Sequence, residues 1–100
     1  MSGITGYGCY IRVRTKPEKR GEFVRLILEL RANALANEPS TLFFEFFQAA
    51  DSTEFVFFEG FVDELAQQQH QQAPYHVAMS EAGWACLDGP PVVEFMKPAR

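Results

Sequence analysis

Cysteine is scarce in this chain. Cys9 and Cys86 are the only two among 100 residues, too few for a disulfide scaffold and without CxxC spacing. Basic residues are outnumbered, nine Lys and Arg against thirteen Asp and Glu. The net charge of −4 and the pI of about 5.1 exclude the basic footprint of a nucleic-acid binder and a polybasic membrane anchor. No apolar run approaches the roughly 18 residues of a membrane span. Met1-Ser2-Gly3-Ile4-Thr5-Gly6 has neither the charged nor the apolar region of a secretory signal. Phosphate loops, nucleophile elbows and dinucleotide fingerprints are missing as well. The expectation is a soluble, cytoplasmic protein with no nucleic-acid or membrane partner. Its length fits one domain over residues 1–100, with a core at about 7–98, and is too short for an α/β barrel.

What the chain does have is phenylalanine: ten in all, eight of them between Phe43 and Phe61. The hydrophobic share of 47% against 22% charged residues reads as globular. From Tyr7 to Arg14, Cys9, Ile11 and Val13 alternate with Tyr10, Arg12 and Arg14, the period of a half-buried strand. Thr15-Lys16-Pro17-Glu18 has capping-box spacing and predicts a helix from Thr15. Phe23, Leu26, Ile27, Leu30 and Ala34 form its apolar stripe, and Pro39 ends it near Glu38. Leu42 to Ala49 and Phe55 to Val62 read as a hairpin around Asp51-Ser52-Thr53. Asp63 caps a second helix to about Gln72; Pro74 interrupts it, and a less regular helical stretch runs from Tyr75 to Ala82. Val92 to Met96 closes as a short strand. The order is β-α-β-β-α-β, so the fold class is α+β, ferredoxin-like, with a four-stranded antiparallel sheet and helices on one face.

Two helices cover one face of such a sheet, yet both faces are apolar. Phe44 and Phe46 oppose Phe43 and Phe47; Phe55, Phe57 and Phe61 oppose Val56, Phe58 and Val62. Three rings left in water forgo roughly 10 kcal/mol, as an upper bound. The expectation is a homodimer packed through the sheet face.

An ordered set of short motifs carries a family resemblance: Ile11-Arg12-Val13-Arg14-Thr15-Lys16-Pro17, the Glu38-Pro39 break, Phe58-Glu59-Gly60-Phe61, Asp63-Glu64-Leu65-Ala66 leading to His70, Pro74, and Leu87-Asp88-Gly89-Pro90-Pro91-Val92. In these the chain resembles an antibiotic-biosynthesis-monooxygenase domain of the dimeric α/β barrel group. The resemblance covers roughly Tyr7 to Pro98. Similar proteins include cofactor-free oxygenases of quinols and anthrone-like aromatics, haem-degrading enzymes and sugar-phosphate isomerases. The usual Glu-Pro-Gly turn is here Glu38-Pro39-Ser40, and Tyr75 stands where the family often has His. The haem-degrading branch typically has Trp where this chain has His70 and His where it has Ser80, and an Asn on the first strand that is absent here.

His70 and His76 are the candidate catalytic residues, each a possible base because histidine titrates near neutrality. The alternative for each is a hydrogen-bonded core histidine. Tyr75, Glu59, Trp84 and Phe61 are candidate substrate contacts. Tyr75 is a donor to a substrate oxygen or a packing residue; Trp84 is a lid or a core residue. Glu59 either pairs with Arg12 or Arg14 on the first strand or is a cavity carboxylate of raised pKa. Two histidines are too few for a typical zinc site, and no metal or cofactor is expected. The resemblance then implies a cofactor-independent monooxygenase in which a deprotonated aromatic substrate reduces O₂ directly in an apolar cavity. The alternatives are an isomerase of a small carbonyl or sugar-phosphate metabolite, and a dimer that binds a hydrophobic ligand without turnover.

Overall fold

The computed structural model describes residues 6–99. Residues 1–5, most of the segment read above as carrying no secretory signal, lie outside the described residues, as does residue 100. The elements are β1 (Tyr7–Arg14), a 3-10 turn (Pro17–Lys19), α1 (Arg20–Asn37), β2 (Thr41–Gln48), β3 (Glu54–Phe61), α2 (Glu64–Gln72), α3 (Pro74–Ala85) and β4 (Val92–Met96). The four strands form one antiparallel sheet in the order β2-β3-β1-β4. This is the ferredoxin-like α+β arrangement, with the second helical segment divided in two.

The alternating pattern sets the faces as expected. Phe44, Phe55, Phe57 and Phe61 are buried, as are Phe23, Ile27, Leu30 and Ala34 of α1. The rings of Phe23, Phe44, Phe46, Phe55 and Phe57 pack at centroid distances of 5.0–6.3 Å. Phe43, Phe47 and Phe58 stand exposed on the opposite face. One irregularity interrupts β2. Thr41 pairs with Phe61 and Phe43 with Gly60, so Leu42 is an extra residue in a β-bulge. Gly60 has no Cβ, and the Phe43 ring occupies the space a Cβ would take.

Three expectations need correction. The capping box does not form: Lys16 takes the cap position of the 3-10 turn with no side-chain cap bond. Thr15 is drawn into the sheet instead. Its N–H donates to the Thr53 carbonyl at 2.8 Å, and it bridges to Leu87. The stretch after Pro74 is a continuous helix, longer than expected. Proline at a first helical turn forfeits no hydrogen bond, so Pro74 starts α3 as well as ending α2. Finally, Arg12 and Arg14 do not reach Glu59. They lie on the other face of the sheet, where Arg12 bonds Glu54 at 2.7 Å and Arg14 bonds Asp51 at 2.9 Å.

Candidate functional site

The site begins at two helix ends. After β3, Asp63 Oδ1 accepts the Ala66 N–H at 2.8 Å and starts α2. Ala66, Gln67 and His70 then fall on its buried face. At the end of α1, the residue before Pro39 is pushed out of helical geometry, and Glu38 sits at φ −123°, ψ 86°. A carboxylate at a helix C-terminus opposes the helix dipole, so it needs donors, and three converge on it. Thr41 Oγ1 donates to Oε1 at 2.7 Å, His70 Nδ1 lies 2.8 Å from the same oxygen, and the Tyr75 hydroxyl donates to Oε2.

The carboxylate fixes the His70 tautomer. It can only accept, so Nδ1 carries the hydrogen and Nε2 is left as the lone-pair nitrogen. Nε2 is buried and has no hydrogen-bond partner among the described residues. Glu59 Oε1 lies 3.6 Å from it. The ring is held by Phe61, 5.3 Å away between centroids, by Phe44 at 6.0 Å and by His76 at 5.0 Å. Glu59 is itself buried. Burial, reinforced by the negative charge of Glu38, raises its pKa to about 7. Its cross-strand neighbour Cys9 is pushed up to about 12 by burial and by Glu59. Burial lowers the pKa of His76, and His70 lowers it further, which favours the neutral ring.

These groups border a cavity of about 170 Å³ between the inner face of the sheet and the helices. Ile11, Phe23, Phe57 and Met79 supply apolar wall; Glu59, His70, His76 and Ser80 supply the polar groups. Trp84, Val93 and Phe95 also line it and are half exposed, which places the mouth on the side of α3 and β4. No Lys or Arg lines it among the described residues. Nor, among those residues, do three His, Cys, Asp or Glu side chains converge as a metal site.

Of the residues singled out from the sequence, His70, His76, Glu59 and Trp84 meet at this cavity. Phe61 does not line it; it packs behind His70. Tyr75 faces a separate groove between α1 and α3 and reaches the site through Glu38. Glu38 itself was missed as a site residue. A carboxylate that ends a helix just before a proline is the signal that could have found it.

Residues 7–82 match the family described as "Antibiotic biosynthesis monooxygenase". The chain belongs to that family. Solved structures similar to it include a Caulobacter crescentus protein named after the same family, at 24% identity and TM-score 0.90 over 96% of this chain and 92% of that one. Rv0793 of Mycobacterium tuberculosis is 19% identical, at TM-score 0.89 over 96% of this chain and 97% of that one. A conserved protein of Methanosarcina mazei is also 19% identical, at TM-score 0.86 over 93% and 92%. At such identities these likenesses establish the fold. Among curated proteins, none matches the chain.

Proposed function

We propose that the protein is a cofactor-independent monooxygenase acting on an uncharged, hydroxylated aromatic of the quinol type. One observation carries this reading: the largely apolar cavity is lined by a histidine that a carboxylate orients from behind and, among the described residues, by no Lys or Arg. Glu38 orients His70 and stabilises the imidazolium that forms when a proton arrives, and Tyr75 donates to the far oxygen of Glu38. Removing the substrate's hydroxyl proton leaves an electron-rich ring that can give up an electron to O₂. The aromatic walls keep water from the anion. The cavity of about 170 Å³ is close to the roughly 150 Å³ that accommodates a benzene ring. That size supports a single-ring head with substituents leading out past Trp84 and Phe95.

The absence of Lys and Arg from the described lining weighs against a phosphorylated isomerase substrate, because a phosphate needs cationic or backbone N–H donors. The test is oxygen uptake by metal-stripped protein, with chelator present, on one-ring quinols and three-ring anthrones. We expect uptake above autoxidation with the quinols and a loss of about 10²–10⁴-fold in the His70→Ala, His76→Ala protein. Uptake unchanged in that variant would remove the base from the reading. A tightly bound aromatic recovered unaltered after aerobic incubation would favour a carrier.

We propose further that the working unit is a homodimer joined through the outer sheet face. Phe43, Phe47, Phe58, Val62 and Met96 are exposed there, with Tyr10 stacked edge-on against Phe58 at 5.4 Å. These side chains are 37–54% exposed, so the cluster offers about half of the roughly 800 Å² per partner of a standard interface, with the surrounding residues of the face as its rim.

A further inference from the structure

The mechanism above leaves one group unused. Glu59 is a buried carboxyl on the cavity wall that makes no hydrogen bond among the described residues. Its location relative to His70 is informative. Nε2 of His70 is buried without a hydrogen-bond partner among the described residues, and Glu59 Oε1 lies 3.6 Å from it. A substrate oxygen entering by the mouth therefore meets the carboxyl before it can meet the imidazole. The two orphaned groups are complementary, since a proton on the carboxyl faces an unshared pair on Nε2.

We propose that Glu59 is the catalytic residue that takes the substrate's hydroxyl proton, and that His70 is the positioning residue behind it that receives this proton on Nε2. This inference rests on the cavity being the substrate site proposed above. In the step, the substrate O–H bond breaks, its electron pair stays on the substrate oxygen, and an O–H bond forms on Glu59. The proton then moves across the 3.6 Å gap, as the pair closes, to make an N–H bond at Nε2. Glu38 balances the resulting imidazolium.

The charged and titratable groups facing Glu59 are few. They are Cys9 from β1, Glu38 from the end of α1, His70 from α2 and His76 from α3. Phe44, its partner across β2, and Phe95, beyond Cys9 on β4, carry no charge. No cation from β2 or β4 offsets the carboxylate. The carboxyl must be ionised to accept a proton, so proton uptake should rise with pH through about 7.

The experiment uses para-nitrophenol, whose yellow anion reports its own ionisation without any oxidation. We expect the wild-type protein to hold the probe as nitrophenolate, with the bound anion fraction rising through about pH 7. In Glu59→Gln the probe should bind with similar affinity but remain neutral and colourless across that range. Glu59→Asp should restore part of the colour. Nitrophenolate bound equally by the Glu59→Gln protein would overturn the proposal. So would a wild type that holds the probe only in its neutral form, or not at all. Failure of the oxygenase reading registers separately, as absent oxygen uptake in a protein that still ionises the probe.

Discussion

Glu59 answers two opposing demands, and both are measurable. Acceptance of a proton needs its ionised form, but burial favours its neutral form. Its pKa in the folded chain, about 7, lies above the ordinary carboxylate value. The native state therefore holds a proton that the unfolded chain has already lost between about pH 4.5 and 7. Across that window the stability contributed by Glu59 falls as pH rises, by about 3 kcal/mol in all at 1.36 kcal/mol per unit. Glu59→Gln does not titrate, so its melting temperature relative to wild type should climb between pH 4.5 and 7.5 and then level off. A constant difference over that range would show that the carboxyl is not perturbed by burial. At this scale the sequence was partly legible. Strand alternation put Glu59 on the core face with Phe57 and Phe61, and residue type drew attention to His70 and His76. Glu38 showed in the sequence only as a carboxylate at a helix end before a proline; its role was not legible, because its partners His70 and Tyr75 lie 32 and 37 residues away and only the folded chain brings them together.

The elements carry the site by where they begin and end. Asp63 sets the start of α2 and hence which residue of the helix is turned inward seven positions later. Asp63→Ala should cost about 1 kcal/mol, read by urea denaturation, through the loss of one capped N–H. A larger loss would mean that the docking of α2 depends on the same carboxylate. Element order was legible because period-2 and period-3.6 patterns are local. Misreadings occurred where a distant segment competed for the same backbone. Thr15 has the chemistry of a cap, but its N–H is taken by Thr53 on the β2–β3 turn. Arg12 and Arg14 have the charge to pair with Glu59, but the pleat turns them to the other face, where Glu54 and Asp51 are closer.

The whole molecule is a sheet covered on one side. Three helices lie over the inner face, and among the described residues no helix is long and apolar enough to cross a membrane. In the homodimer proposed above, the outer aromatic cluster is the joining surface. Phe43→Asp with Phe58→Asp should shift the sedimenting species from dimer to monomer at micromolar protein, because two carboxylates would be desolvated in each half of the interface. A wild type that sediments as a monomer would refute the dimer directly. Ring packing inside each chain leaves these two positions outside the core, so the doubly substituted protein should keep its helical circular dichroism.

The bulge at Leu42 works like a shift of reading frame in space. Every residue of β2 after it alternates in step with β3, and Thr41 before it is brought back into the inward phase by that single extra position. Were β2 to pair without the bulge, Leu42 would take the inward place opposite Phe61 and the one letter upstream that matters would be inverted, turning the Thr41 hydroxyl away from Glu38. The sheet would still pair, but the carboxylate that aims the imidazole would lose a donor. One inserted residue thus lets a strand built for packing aromatics also serve, at its first position, the proton chemistry of the cavity.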